Sequence, residues 1–210
     1  MASISHHDIG GWIFQRRTWL PLVFLPILLL PLPWHHNPVI QIATGIPLMV
    51  LGETIRLLSV GYAGRITRTR SGALGPLVVA GPYRLVRNPL YIGNMLIAAG
   101  AICLAGRFLV LPLVLVGVAY YYDAVVHWEE RLLASVFGEE YAEYCRRTPR
   151  WWVARTPCPR MSLHRFNLSE AVQSERGTLG TLTAICLGVW LLEWLTHSGI
   201  APWLGGLDLV

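Results

Sequence analysis

Five apolar runs, at residues 19–32, 39–62, 90–105, 109–126 and 179–195, set the terms on which this chain can fold. Their lengths suit helices that cross a bilayer, some of them short or kinked. With 54% hydrophobic and only 14% charged side chains over 210 residues, the composition is that of a membrane protein rather than a soluble globule. The expected fold is therefore all-α and integral to the membrane: about five transmembrane helices, with cytoplasmic interfacial helices and loops between them. A single domain, residues 1–210, is expected, closing with a final transmembrane helix at 177–197.

The charges orient these runs. All 17 basic residues are arginine, and the net charge is +5. In a soluble protein that balance would suggest nucleic acid; here the positive-inside rule and anionic headgroups account for it, so membrane lipids are expected partners and nucleic acid is not. With the N-terminus inside, Arg16-Arg17, the 61–89 loop and the 127–176 segment share the cytoplasmic side, leaving Arg107 as the clear exception. A multi-pass protein of the inner or plasma membrane follows, with its chemistry facing the cytoplasm. Arg16-Arg17 ahead of the first run also fits a twin-arginine signal, but Pro33-Trp34-His35-His36 follows instead of a small-residue cleavage site. Pro21, Pro26 and Pro31 make that run a kinked span.

Polar groups inside the apolar runs locate the chemistry. Glu53 and Arg56 stand i and i+3 in the second run; they face either a bundle interior or, with Arg56 snorkelling, the headgroups. The third and fourth runs are separated only by Gly106-Arg107-Phe108, the spacing of a tight helical hairpin. At 100° per residue, Tyr120, Asp123, His127 and Glu130 form one polar row leaving the fourth run, with Glu129 on the opposite side. Such a row should look into a site rather than into lipid. An amphipathic helix is expected at 132–147, interrupted at 138–141, and a further short interfacial helix at 169–176, ahead of the fifth run.

The stretch Gly81-Pro82-Tyr83-Arg84-Leu85-Val86-Arg87-Asn88-Pro89-Leu90-Tyr91-Ile92-Gly93 joins a basic loop to the third run. Gly81-Pro82 is turn chemistry, and Pro89 can occupy the first turn of a helix without losing a needed amide bond. Arg84, Arg87 and Asn88 then gather beside free helix N–H groups, a setting suited to a carboxylate or hydroxyl of a cofactor. Cys103, Cys145, Cys158 and Cys186 are scattered, with no Cys-x-x-Cys pair or companion histidine, so neither a disulfide framework nor a metal site is expected.

Gly-Pro-Tyr-Arg and Arg-x-Pro-x-Tyr-x-Gly at 81–93 are followed by Glu129-Glu130-x-Leu132, Phe137-Gly138-x-Glu140-Tyr141-x-x-Tyr144 and Pro149-Arg150. In order and spacing, this pairing resembles the integral-membrane methyltransferases of the isoprenylcysteine carboxyl methyltransferase family and the related phospholipid methyltransferases. The resemblance covers residues 52–152, about half the chain, which would form the cofactor-binding and catalytic core. It implies S-adenosyl-L-methionine as cofactor, held by Tyr83, Arg87, Asn88, Pro89, Tyr91, Gly93, His127, Glu129, Glu130, Tyr141 and Tyr144. Asn88 stands where the family has histidine; it can donate a hydrogen bond but cannot titrate near neutrality, which leaves it a positioning role.

The residue chemistry is compatible with that cofactor. Arg87 and the helix N-terminus suit its carboxylate, Glu129 or Glu130 its ammonium, and aromatic faces its adenine and sulfonium. Glu130, His127 and Arg56 are the candidate catalytic residues. A carboxylate acceptor needs no base, whereas an amine or thiol would call on His127 or Glu130. The expected acceptor is a lipophilic small molecule or lipidated group entering from the bilayer, foremost an isoprenylcysteine-like carboxylate, with a phospholipid amine or small thiol as alternatives. Gly45, Gly52 and Gly188 mark where a gap for it could open between helices. An NADPH-dependent membrane reductase and a non-catalytic scaffold are the rival functions.

Overall fold

The computed structural model describes residues 37–64, 76–159 and 165–198. The first apolar run and Arg65, Arg68 and Arg70 lie outside the described residues. Every regular element among those described is helical: α1 Pro38–Ala63, α2 Pro89–Leu104, α3 Leu111–Arg147 and α4 Leu168–His197, with 3-10 turns at Gly81–Arg84 and Phe108–Val110.

Each boundary has a local cause. Asn37 caps α1 by accepting from the Ile40 N–H at 3.1 Å, and Pro38 fills the first helical position. Gly64 ends the helix at φ 72°, its N–H bonded to the Val60 carbonyl at 2.7 Å. Pro89 opens α2. Gly106, at φ 67°, turns the chain back, so α2 and α3 form the tight hairpin expected from the sequence. Helix α3 runs 37 residues, far past its apolar half, and bends where Gly138 adopts φ 51°, ψ −121°, inside the interruption foreseen at 138–141.

One expectation fails. The short interfacial helix at 169–176 and the fifth apolar run are a single 30-residue helix, α4. No proline lies between them, and Gly177 and Gly180 weaken a helix without breaking it. Thr181 and Thr183 hydroxyls also bond the Gly177 and Leu179 carbonyls, both at 2.9 Å.

Helices α1 and α2 pack antiparallel at backbone distance. A Cβ added at Gly45 would lie 2.8 Å from the Gly100 carbonyl oxygen, and one at Gly100 2.6 Å from that of Gly45. Gly52 and Gly93 repeat the arrangement seven residues along, at 2.6 and 2.7 Å. Gly45 and Gly52 therefore close the interface of α1 with α2, whereas nothing would lie within 4 Å of a Cβ at Gly188. Beyond the ends of these helices, Leu77, Val79, Tyr141, Tyr144 and Cys158 make a small core joining the 76–80 segment, the bent end of α3 and the chain after it. Full burial of an aliphatic side chain such as Val79 stabilises by roughly 1.5–3 kcal/mol.

The outer faces are apolar. Val39, Ile42 and Val50 on α1, Leu113 and Val116 on α3, and Leu187, Trp190 and Trp194 on α4 are all exposed. That pattern suits lipid as the surrounding medium. Among the described residues, Pro38–Ala63 and Phe108–Arg147 are long and apolar enough to cross a membrane, and Pro89–Leu104 is a shorter apolar helix.

Candidate functional site

Glu130 is the centre of the polar cluster. Arg87, from the turn before α2, sets Nη1 3.1 Å from its Oε1. Arg150, from the segment after α3, donates from Nε to both oxygens at 3.1 Å and from Nη2 to Oε2 at 2.6 Å. Hydrogen bonding to Glu130 raises the Arg150 pKa above its ordinary value, against partial burial, with the charges of Glu130 and then Asp123 adding to the rise. Two guanidiniums thus share one carboxylate in a setting where all three side chains are less than a third exposed.

Residues 149–158 act as a strap that brings Arg150 to this place. Arg87 N–H donates to the Pro149 carbonyl at 2.9 Å, Ala154 N–H to Leu85 at 2.7 Å and Cys158 N–H to Arg84 at 2.8 Å. Arg84 Nε returns a bond to the Cys158 carbonyl at 2.6 Å. The Asn88 side chain makes no capping bond to its own helix; its Nδ2 donates to the Arg150 carbonyl at 3.3 Å. Asn88 therefore fastens the strap, a positioning contact that needs no titration.

The polar row on α3 meets this strap in three of its four members. His127 Nδ1 lies 2.8 Å from the Asp123 carbonyl oxygen and 3.1 Å from Asp123 Oδ2, while Nε2 faces Arg150 Nη1 at 3.0 Å. A guanidinium can only donate, so Nε2 accepts and Nδ1 carries the ring proton. The lone pair that a base would use is thus engaged by Arg150. Trp151 Nε1 donates to Asp123 Oδ1 at 3.2 Å. Tyr120, by contrast, is 80% exposed on the outer apolar face and takes no part.

Aromatic residues frame the cluster. The Tyr91 and Tyr122 rings lie 4.8 Å apart, and Trp151 packs on the same group. Tyr144 donates its hydroxyl to the Tyr83 carbonyl at 2.7 Å. The Tyr83, Tyr141 and Tyr144 phenols are pushed above their ordinary value, by burial first in each case. The next contributions are Glu129 for Tyr83, Glu130 for Tyr141 and the Tyr83 phenol for Tyr144. Glu129 and Glu130 thus each act on a different phenol of this group.

Arg56 belongs to a second, deeper cluster. It donates from Nη1 to Asn94 Oδ1, and from Nη2 to Glu175 Oε2 at 2.7 Å and Thr178 Oγ1 at 3.2 Å. Its Nε is 3.6 Å from Glu53 Oε2. Of the two sequence readings, the bundle interior is what the structure has: Glu53 is 6% and Glu175 0% exposed. This cluster ties α1 to α2 and α4, and Tyr83 feels the charge of Arg56 as well as that of Glu129. Pro89 is buried at the start of α2, and Gly93 packs against Gly52 and the Arg56 stem rather than beside Glu130. Sequence reasoning did not assign Asn94, Glu175, Thr178, Trp151 or Arg150 to a site. The only signals were a lone amide in an apolar run, a carboxylate near a helix junction, and the position of Arg150 in the motif. Among the described residues, no group of three or more His, Cys, Asp or Glu could hold a metal ion.

Comparison with known proteins brings a family into view. A family model described as phospholipid methyltransferase matches residues 40–140. The cobalt-zinc-cadmium resistance protein CzcN of Cupriavidus metallidurans is 42% identical over 163 residues, covering 77% of this chain and 68% of that protein. A probable protein-S-isoprenylcysteine O-methyltransferase of Oryza sativa subsp. indica is 32% identical over 108 residues, 49% of this chain and 56% of that protein. Protein-S-isoprenylcysteine O-methyltransferase B of Arabidopsis thaliana is 28% identical over 110 residues, 50% of this chain and 55% of its own length. The match therefore spans little more than half of each plant relative. No solved structure matches at a comparable level of significance.

Proposed function

The chain belongs to the phospholipid methyltransferase family, which includes the isoprenylcysteine methyltransferases, and from that premise we propose that it transfers a methyl group from S-adenosylmethionine to a lipophilic acceptor, foremost an isoprenylcysteine-like carboxylate. The observation that carries this reading is the Arg87–Glu130 pair at the mouth of α2, closed over by the strap. The reading takes the protein as a multi-pass membrane enzyme of five spans whose site faces the cytoplasm, a topology supported by the arginine distribution.

The residues present fit the cofactor. Arg87 Nε is shielded from solvent yet has no hydrogen-bond partner among the described residues, so the turn still has a donor for a carboxylate. Glu130 and Glu129 offer negative charge for an ammonium, and Tyr91 and Trp151 offer aromatic faces. When bound, S-adenosylmethionine supplies a methyl group activated on a positively charged sulfur. The protein's part is to orient and exclude: Arg87 and Glu130 fix the direction of a zwitterionic group, and the neutral phenols of Tyr83, Tyr141 and Tyr144 back the site with buried surface.

The engagement of His127 Nε2 by Arg150 favours an acceptor that needs no proton removed, which a carboxylate satisfies. The family description favours a phospholipid amine as the second reading, and that acceptor would require His127 or Glu130 to become free. CzcN is named for cobalt, zinc and cadmium resistance, so acceptors met under metal stress belong in the first screen.

Calorimetry on the purified chain with S-adenosylmethionine and with NADPH tests the cofactor, and a screen of labelled methyl transfer to carboxylate, amine and thiol acceptors tests the chemistry. Saturable S-adenosylmethionine binding with carboxylate methylation is the expected result. Binding of NADPH alone would replace this reading with a reductase.

A further inference from the structure

Arg150 stands in the site with no assigned task beyond bracing, and its surroundings give it one. We propose that Arg150 is a cofactor-binding residue: together with Arg87 it grips the carboxylate of the cofactor's amino-acid end, leaving Glu130 to the ammonium. The inference rests on the S-adenosylmethionine reading above.

The first argument is placement. The strap is bonded to residues 84–87 through Pro149, Ala154 and Cys158, and Asn88 holds the Arg150 carbonyl. The backbone behind the Arg150 guanidinium is thus fixed to the same turn that presents Arg87. The second argument is stoichiometry. Arg87 and Arg150 converge on a single carboxylate, with side-chain exposures of 15% and 29% against 12% for Glu130. Asp123 is the more distant anion: its Oδ1 lies 3.8 Å from Arg150 Nη1 and accepts from Trp151 Nε1 at 3.2 Å. Arg87 Nη1 also donates to Cys145 Sγ at 2.8 Å and Arg150 Nη1 to His127 Nε2 at 3.0 Å, yet Arg87 Nε keeps no hydrogen-bond partner among the described residues. The pair still has a donor for a second carboxylate, and charge-assisted bonds of this kind are the strong ones.

The third argument is the shape of the ligand. An amino-acid end brings one carboxylate and one ammonium. The carboxylate meets the two guanidiniums, and the ammonium takes the Glu130 oxygens that Arg150 releases. Each end of the zwitterion then meets opposite charge, whereas a nucleoside lacking the amino-acid end leaves the arginines as they stand. A carboxylate could also arrive on the acceptor, and the test separates these sources.

The experiment measures calorimetric affinities of the full chain in nanodiscs for three probes. S-adenosylhomocysteine carries carboxylate and ammonium, its decarboxylated analogue only the ammonium, and 5′-methylthioadenosine neither. Wild type, Arg150→Ala and Arg150→Lys are compared. Expected is a loss of about 10- to 100-fold in S-adenosylhomocysteine affinity for Arg150→Ala, with the other two probes within about threefold of wild type. Arg150→Lys should recover part of the loss, and decides the matter if the alanine variant does not fold. Equal weakening for all three probes would make Arg150 a brace and overturn the proposal. Unchanged S-adenosylhomocysteine affinity with a raised KM for a carboxylate acceptor would assign Arg150 to the acceptor and overturn it too. Failure of the wild type to bind any probe would remove the cofactor reading itself, and this inference with it.

Discussion

Replacing Gly52 by alanine should damage the fold at a predictable place. The added Cβ would sit 2.6 Å from the Gly93 carbonyl oxygen and 2.9 Å from Ile97 Cγ1. Carbon and carbonyl oxygen in ordinary Cα–H···O contacts between helices lie at about 3.3–3.6 Å, so α1 and α2 must part by about 0.7 Å or more. The obstructing atom is backbone and no rotamer change relieves it. Overpacking of this kind costs about 1–3 kcal/mol. Gly→Ala in a helix returns roughly 0.5–1 kcal/mol, so the net loss lies towards the lower half of that range. For a chain of this size, each kcal/mol shifts the melting temperature by about 2–4 °C, giving an expected fall of about 2–8 °C for Gly52→Ala. Gly93→Ala meets the Gly52 carbonyl oxygen at 2.7 Å and the Arg56 Cγ at 2.6 Å, and should fall by a similar amount. Gly117→Ala meets nothing within 4 Å and serves as control, unchanged or slightly raised. Thermal unfolding in one detergent, read by circular dichroism, makes the comparison. Equal melting temperatures for all three variants would refute the close packing of α1 on α2.

Other perturbations follow the same geometry. Arg87→Ala and Glu130→Ala should each weaken S-adenosylmethionine binding by roughly 1.5–3 kcal/mol, the value of a charge-assisted hydrogen bond. Asn88→Ala, which loses one neutral bond to the Arg150 carbonyl, should cost about 0.5–1.5 kcal/mol; if it proves the worst of the three by calorimetry, position 88 does more than position the strap. Arg56→Ala takes the guanidinium away from the buried Glu53 and Glu175 carboxylates and should destabilise the fold by about 3–5 kcal/mol, with the double variant Arg56→Met, Glu175→Met recovering much of that in a melting series. The Tyr83, Tyr141 and Tyr144 phenols titrate above the ordinary value near 10, so the folded state holds protons that the unfolded chain releases. Stability from them is full below about pH 10 and falls as pH rises beyond it. Tyr141→Phe should flatten that alkaline loss in melts taken between pH 8 and about 11.5; an unchanged slope would contradict the burial of this ring.

How much of this was legible depended on sequence distance. The second apolar run, read as 39–62, is α1 at Pro38–Ala63, and the hairpin after it follows from Gly106 and the apolar lengths alone. The 81–93 motif correctly announced a turn and a helix start at Pro89, because each is local chemistry, whereas the approach of Arg87 to Glu130 joins distant segments. The polar row was right for Asp123, His127 and Glu130, where 100° spacing brings the side chains to one face; it failed at Tyr120, which the end of the apolar face carries outward. Arg56 meeting Glu175 spans 119 residues, and nothing in either segment's periodicity names the other. The strap was invisible for the same reason: residues 149–158 form no regular element, and their bonds to 84–87 exist only once both segments are folded. Glycines were ambiguous in a different way. Small residues signal close packing and adjustable gaps alike, and only the reciprocal carbonyl approaches at Gly45–Gly100 and Gly52–Gly93 decide between them.

The most direct test of the central claim is labelled methyl transfer from S-adenosylmethionine to a series of thioether carboxylates identical except in tail length. Each methylene kept in an apolar setting contributes about 0.8 kcal/mol, so kcat/KM should rise by roughly fourfold per added methylene until the tail outgrows the site. The label should enter the organic phase as a base-labile methyl ester. Equal efficiency across the series would contradict an acceptor drawn from the bilayer, and no transfer to any member, with S-adenosylmethionine bound, would contradict the carboxylate acceptor itself.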